Sequence, residues 1–191
     1  MISTLKVLLR IYQGNAGVYK GLTSREEDRP LQTKMRIEGY DISNLSGTLA
    51  VGSMAVFENG KRKPLDYRKF KIKRVKGQND VKSLREVLLR RQKHLEWPVP
   101  ELVVLDGGKG QLKAAKGLKW PVLALAKHKR SGSLEARHAS GGSKLFSPFS
   151  KQYARIELLP EIVRNLLLQV RDESHRFAIT YHKQRRIKNL T

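Results

Sequence analysis

The sequence contains no cysteine, which excludes disulfide bonds and zinc sites built on thiolates. It also lacks an apolar run long enough to span a bilayer. The short apolar stretch near the start, Val7–Tyr12, contains Arg10 and does not resemble a secretory signal. We therefore expect a cytoplasmic protein without a membrane-spanning segment.

Acidic residues are scarce, with 17 Asp and Glu against 39 Lys and Arg, so the formal net charge is +22. Such an excess makes the compact state repel itself, and it is usually tolerated because a polyanion neutralises it. Nucleic acid is therefore the expected partner. An acidic protein or an anionic membrane surface is the alternative.

The 191 residues, 39% of them hydrophobic, suit one compact domain with a short extension. Met1–Lys34 shows no clear pattern and is expected to be an N-terminal extension or linker. Residues 35–191 alternate strands with helices, which predicts a single domain. Within it, Lys127–Ser150 is rich in Ser, Gly, Lys and His, and we expect a basic flexible loop holding one short strand near Lys144–Phe146.

Hydrophobic alternation predicts three antiparallel strands first, and the pair Asn59-Gly60 favours the type I′ turn of a hairpin. Helices and buried strands then alternate. The predicted elements are strands at Arg36–Ser43, Thr48–Glu58 and Leu65–Lys73, a helix from Asn79 or Asp80 to about Glu96, a strand at Leu102–Leu105, a short helix at Gln111–Lys116, a strand at Pro121–Ala126 and a helix from Pro160 to about Lys188.

This order predicts an α/β protein with the RNase H-like fold. A right-handed crossover places the strand that ends at Asp106 parallel to the first strand and beside it. The expected sheet is mixed and five-stranded, with three antiparallel strands followed by two parallel ones, and helices flank it.

Two aspartates occupy positions in the predicted sheet where they could bind a metal ion. Asp41 is inside the first strand, where Asp is depleted, and pairing with an Arg or Lys is the alternative to metal binding. Asp106 ends a buried strand and precedes Gly107-Gly108, so it could equally serve a turn or a helix cap. Because ligands bind beyond the carboxyl ends of parallel strands, two carboxylates converging there predict a Mg²⁺ or Mn²⁺ site.

The residues alone do not identify the third metal ligand. The final helix carries Asp172, Glu173 and His175 within four positions. His175 falls well away from the apolar stripe of this helix, but periodicity does not choose among the three as a ligand. Such a metal site would hydrolyse a phosphodiester, because a divalent cation activates water and neutralises charge on phosphorus.

A nucleotide-binding loop is excluded at Gly107–Gln111. The segment lacks the spacing of a P-loop, and Gln111 stands where Ser or Thr is required. Lys109 is better suited to contact a DNA phosphate. Four arginines are further candidate DNA contacts, namely Arg91, Arg176, Arg185 and Arg186.

Four strings resemble the C-terminal nuclease half of the UvrC family, a component of the ABC excinuclease. They are R-I-E-G-Y-D-I-S from Arg36, G-S-M-A-V-F-E-N-G from Gly52, V-V-L-D-G-G-K-G-Q-L from Val103 and R-D-E-S-H-R-F-A-I from Arg171. A shorter string, L-R-E-V-L-L-R-R from Leu84, fits as well. The resemblance runs collinearly from Met35 to Lys188.

The resemblance implies an RNase H-like endonuclease that cuts damaged DNA on the 5′ side of a lesion during nucleotide excision repair. It implies a catalytic Asp-Asp-His set with Mg²⁺ or Mn²⁺, and the matching positions are Asp41, Asp106 and His175. The family also carries an acidic residue just before the first long helix, and Asp80 matches it.

The family's N-terminal nuclease domain, its segment for binding the damage-loading excinuclease component UvrB and its helix-hairpin-helix pair have no counterpart in this sequence. We therefore expect docking to UvrB and independent tight binding of damaged duplex DNA to be weakened, and the basic loop to compensate by holding backbone phosphates. Two other functions share the same pattern. They are a catalytically silent nucleic-acid-binding module and an RNA-cleaving RNase H-like enzyme.

Overall fold

A computed structural model of the chain describes residues 35–45, 49–75, 77–127, 143–146, 153–155 and 159–188. The predicted extension Met1–Lys34 and most of the predicted loop Lys127–Ser150 lie outside these residues. Within them, no helix has both the length and the hydropathy that crossing a membrane requires.

The described residues form one eight-stranded mixed sheet. Its strands are β1 (Arg36–Leu45), β2 (Leu49–Glu58), β3 (Lys61–Arg62), β4 (Arg68–Lys71), β5 (Leu102–Asp106), β6 (Val122–Lys127), β7 (Ser143–Phe146) and β8 (Tyr153–Arg155). The order across the sheet is β3-β2-β1-β5-β6-β7-β8, and β4 also pairs with β2. β1 is antiparallel to β2 and parallel to β5, and β5 is parallel to β6. This is the mixed α/β topology predicted for the RNase H-like fold.

The strand count differs from the predicted five for two reasons. The third predicted strand, Leu65–Lys73, is shortened to β4, because its first residues belong to a 3₁₀ turn at Pro64–Asp66, and the short strand β3 precedes that turn. Pro64 has no N–H for a strand ladder and its fixed φ suits the start of a turn. Beyond β6, the antiparallel strand β7 coincides with the short strand predicted near Lys144–Phe146, and β8 pairs with it and extends the sheet further.

Helices cover both faces of the sheet. α1 (Asp80–Lys93) and α2 (Lys109–Ala114) pack on one face, and α3 (Glu161–Lys188) packs on the other. Alternate residues of β5 supply both layers, since Val103 and Leu105 contact the α1 face while Leu102 and Val104 contact the α3 face. A strand buried on both faces needs a continuous apolar run, which is what the sequence of β5 provides.

A buried carboxylate, Glu38 on β1, ties the sheet to helix α1. Its oxygens accept hydrogen bonds from Arg91 at 2.9–3.2 Å, from Arg36 at 2.9 Å and from the hydroxyl of Tyr40 at 2.7 Å. Arg36 also pairs with Asp66, and Arg91 donates to the Pro98 carbonyl. Burial first, and then the Glu38 carboxylate, raise the pKa of Tyr40 and keep its phenol protonated as a donor.

The close approach of α3 to the sheet depends on Gly39. A Cβ at this position would lie 2.7 Å from Val170 Cγ1 and 2.8 Å from the Val170 carbonyl oxygen. The neighbouring contact is also made by small side chains, with the Ser53 hydroxyl donating to the Ser174 carbonyl at 3.0 Å. At Gly39 and Ser53, helix α3 therefore approaches the backbone of β1 and β2 closely.

Replacing Glu38 tests whether its buried ion pairs stabilise the contact between the sheet and α1. Glu38→Gln leaves two buried guanidiniums without their shared anion, so we expect the free energy of unfolding to fall by about 3–5 kcal/mol. The control is Glu96→Gln, because Glu96 is exposed and pairs with His94 at the surface, and we expect a change within about 0.5 kcal/mol. Urea unfolding measures both. Equal effects of the two substitutions would contradict the proposed role of Glu38.

Replacing Gly39 tests whether the close packing of α3 on β1 stabilises the fold. Gly39→Ala should cost about 1–3 kcal/mol of unfolding free energy, because the new methyl group overlaps the backbone of α3. Gly110→Ala is the matched control, since its Cβ would meet only Val81, at 3.5 Å, and Ala favours a helix by about 1 kcal/mol. Thermal unfolding of both variants makes the comparison, and an unaltered melting temperature for Gly39→Ala would refute tight packing there.

Candidate active site

The two predicted aspartates lie side by side at one end of the sheet. The parallel register pairs Gly39 with Val104 and Tyr40 with Leu105, and Asp41 and Asp106 are the next residues on each strand. By strand alternation, Asp41 shares a face with Gly39 and Asp106 shares one with Val104, which is the α3 face. The sheet therefore presents both carboxylates to the same helix.

His175 completes the group from α3. Its Nδ1 lies 3.0 Å from Asp41 Oδ2 and 3.9 Å from Asp106 Oδ2. One potential ligand atom from each of the three residues lies within 4.8 Å of the other two. The predicted convergence is present, and it follows from the packing at Ser174, which is fully buried against the sheet one residue earlier.

Electrostatics at Asp41 favour a bound cation. Burial raises the pKa of Asp41, and the nearby Asp106 carboxylate raises it further, against the hydrogen bond from His175, which lowers it. Both raising effects penalise negative charge. A divalent cation would relieve them, and two carboxylate oxygens with an imidazole nitrogen are ligands that Mg²⁺ or Mn²⁺ accepts. The residues present therefore fit such an ion.

The structure separates His175 from the other two candidates for third ligand. Glu173 is buried on another side of α3, where it accepts hydrogen bonds from Tyr67 and Arg176. Asp172 is largely exposed and pairs with Arg171. Among the described residues, His175 is the one histidine that groups with Asp41 and Asp106.

A cleft of about 250 Å³ opens at the two aspartates. Its lining is mostly polar and includes Asp80, the first residue of α1. The helix cap that the sequence left open belongs to Asn79, whose side chain accepts from the backbone N–H of Lys82. Asp80 is exposed and lies beside the aspartate pair instead of capping the helix.

Gln111 also lines this cleft, a role that its mismatch to the P-loop pattern did not predict. Its Oε1 accepts a hydrogen bond from the Gly108 N–H at 3.0 Å, and its side chain packs against Gly107. Gly107 adopts φ 133°, and a Cβ there would lie 2.3 Å from Gln111 Cδ. The amide thus fixes the turn that directly follows Asp106. In the sequence, the string Asp-Gly-Gly-x-x-Gln that ends at Gln111 is the pattern from which this contact could have been predicted.

The predicted DNA contacts have different outcomes. Arg91 is 1% exposed with its guanidinium bound to Glu38, so the prediction that it contacts DNA is wrong, because a charge buried in this way cannot reach a phosphate. Lys109 is exposed at the start of α2, and Arg176 is more than half exposed beside Glu173. The side chains of Arg185 and Arg186 lie outside the described part of the chain.

Titration with Mn²⁺ tests the triad as a cation site. We expect the full chain to bind Mn²⁺ near neutral pH, and Asp41→Asn, Asp106→Asn and His175→Ala to weaken binding strongly. Because a proton competes for the raised-pKa carboxylate of Asp41, the affinity should fall as the pH is lowered. Isothermal calorimetry measures these effects.

Matched controls for that titration are Asp172→Asn and His94→Ala, which remove the same side chains away from the triad. Both should bind Mn²⁺ like the parent chain. Binding that is lost equally in the controls, or retained in all three triad variants, would place the cation elsewhere.

The sequence matches the family described as the UvrC RNase H endonuclease domain over residues 28–179. Among curated proteins, it is 41% identical over 170 residues to the UvrABC system protein C of Streptococcus equi subsp. zooepidemicus, with 83% of this chain and 27% of that protein covered. The protein of the same name from Dehalococcoides mccartyi is 42% identical over 162 residues, with 81% and 26% covered. The chain thus spans about a quarter of the length of these relatives.

Solved structures with a similar arrangement include endonuclease V. The enzyme from Streptomyces avermitilis is 13% identical and covers 91% of this chain and 93% of its own, with a TM-score of 0.48. The catalytic domain of human endonuclease V is 14% identical and covers 95% and 96%, with a TM-score of 0.45. The sequence matches carry the assignment, and by them the chain belongs to the UvrC RNase H endonuclease domain family.

Proposed function

We propose that this chain is a divalent-metal-dependent DNA endonuclease domain that hydrolyses a phosphodiester on the 5′ side of a lesion during nucleotide excision repair. The observation that carries the proposal is the convergence of Asp41, Asp106 and His175 at the carboxyl ends of parallel strands. Membership of a nuclease-domain family and the strongly basic composition support it.

The three residues would hold Mg²⁺ or Mn²⁺ through one atom each. Such an ion, when bound, supplies the positive charge that a phosphodiester needs as it is attacked by water. The chain's own contribution is geometric. Asp41 and Asp106 are fixed by the strand register, and the buried Ser174 fixes His175, so the ligands are aligned before substrate arrives.

Asp80, in the same cleft, is proposed as a further catalytic carboxylate. It stands at the start of α1 and lines the cleft together with the aspartate pair, without being one of the three grouped residues. In that position it could orient the attacking water by accepting a hydrogen bond from it. Lys109 is proposed to contact a backbone phosphate from the neighbouring helix α2, where its side chain is exposed.

Damaged duplex DNA as the substrate and the excinuclease component UvrB as a partner belong to this proposal. They rest on relatives called UvrABC system protein C, of which the chain covers about a quarter. Residues 35–191 are proposed to form the nuclease domain and residues 1–34 an extension to it.

Cleavage of a lesion-containing duplex tests the function. With Mn²⁺ present we expect a nick 5′ to the lesion, and each of Asp41→Asn, Asp106→Asn and His175→Ala should lose more than the roughly 10–100-fold that removal of an outer-shell partner costs. Labelled 5′ and 3′ ends locate the cut, and circular dichroism establishes that each variant is folded.

Asp172→Asn serves as the control, because it removes an exposed carboxylate from the same helix, and it should cut at the parental rate. Normal cutting by any two triad variants would refute the assignment. DNA binding without cutting under any divalent metal would instead identify a silent binding module, and preferential cutting of an RNA–DNA hybrid would identify an RNA-cleaving enzyme.

A further inference from the structure

A second cluster of charged residues lies on the flank of α3 that faces away from the triad. Its centre is Glu173, which is 2% exposed and accepts hydrogen bonds from Arg176 at 2.6 and 2.8 Å and from the Tyr67 hydroxyl at 3.1 Å. Arg62, from β3, reaches the same carboxylate at 3.5 Å. Three separate elements therefore meet at one buried anion.

The two arginines differ from Arg91 in their exposure. The side chains of Arg62 and Arg176 are each 58% exposed, although both are tied to Glu173. Arg176 uses Nε and Nη2 for this contact, so its Nη1 donors are not engaged by Glu173. A carboxylate that holds a guanidinium in place while its outer edge stays in solvent makes a preorganised phosphate contact, because Arg presents its donors in a fixed plane.

Lys69 extends the cluster along β4. Its Nζ lies 4.7 Å from the ring centroid of Phe177, which packs edge-on against Tyr67 at 5.1 Å. The lysine is thus held next to the arginine pair by an aromatic contact. Among the described residues, Arg62 and Arg176 bring two cations to the one carboxylate of Glu173, which is more positive charge than neutralising the buried carboxylate requires.

The cluster has a defined position relative to the triad. Lys69 pairs with Ser53, and Ser53 pairs with Asp41, so the three residues form one row across β4, β2 and β1. Two strand spacings separate the ends of that row by about 10 Å. On α3, Glu173 and Phe177 are each two positions from His175, which at about 100° per residue places them on the opposite flank of the helix.

We propose that Arg62, Lys69 and Arg176 form a second binding site for the phosphodiester backbone of the DNA substrate, engaging phosphates other than the one that is cut. The inference rests on the proposed endonuclease function and adds a flanking contact to it. A separation of about 10 Å exceeds the reach of a single phosphate, so a backbone that occupies both places is held at two points across α3. The orientation of the scissile bond over Asp41 and Asp106 would then depend on this site.

The salt dependence of DNA binding tests the proposal. The full chain and its Arg62→Gln/Lys69→Gln variant are titrated with an undamaged duplex in EDTA, over a series of salt concentrations. Removing two cations that contact phosphates should weaken binding and reduce the slope of log K against log salt by about 2. A slope equal to that of the parent chain would overturn the proposal.

The matched control is Lys93→Gln/Lys119→Gln, which removes two exposed cations at other places on the surface. It lowers the net charge by the same amount, so an equal change of slope in both variants would mean a general charge effect and would also overturn the site. Arg176→Gln alone gives a second reading, with an expected slope change of about 1. Circular dichroism and Mn²⁺ affinity establish that the variants remain folded.

Neutral methylphosphonate linkages identify which phosphates are engaged. Placed singly along the cut strand or along its complement, each linkage that weakens the parent chain but not Arg62→Gln/Lys69→Gln marks a contact of this site. Either strand supports the proposal, and the absence of any such position in both strands contradicts it.

The binding assay also separates this inference from the proposed function, because it is done without a divalent metal. A chain that binds with the altered slope but never cuts would refute the endonuclease and retain the site. A chain that cuts while both double variants bind identically would retain the endonuclease and refute the site.

Discussion

The position of helix α3 on the sheet is the constraint on which the candidate site depends. A glycine on β1 and serines on β2 and α3 let backbone approach backbone, and a single methyl group at Gly39 would push the helix outward. His175 follows directly after Ser174, so its distance to Asp41 is set by that packing. Metal ligands are held to within a few tenths of an ångström in functional sites, which tight packing provides and a loop would not.

Charge is distributed differently on the two faces of β1. On the α1 face, Glu38 is surrounded by arginines and a phenol, so these buried charges are paired and the contact joins sheet to helix. On the α3 face, Asp41 lies near another carboxylate and its pKa is raised. The first arrangement is satisfied by the protein alone. The second gains from a cation, and this difference separates a structural carboxylate from a candidate catalytic one on the same strand.

The topology and the two aspartates were predictable from the sequence because they depend on local patterns. Period-2 alternation marks β1 and β2, a continuous apolar run marks β5, and a right-handed crossover leaves few arrangements for them. The shortening of the third predicted strand and the burial of Arg91 were not predictable in the same way. A charged residue such as Arg91 is expected at the surface. Its partner Glu38, 53 positions earlier in the sequence, explains why its guanidinium is buried in the core instead.

The sequence alone indicated a basic α/β domain with one carboxylate inside a strand and another at the end of a second strand, and its motif strings pointed to the UvrC RNase H endonuclease domain family. It left Asp172, Glu173 and His175 equivalent as third ligands, because helical periodicity fixes which side of a helix a residue occupies but not what lies opposite. The tertiary structure brings one of the three, His175, next to the two aspartates. Packing at Gly39 and Ser174 turns His175 toward Asp41 and Asp106, and it turns Glu173 toward Arg62 and Arg176 on the other flank.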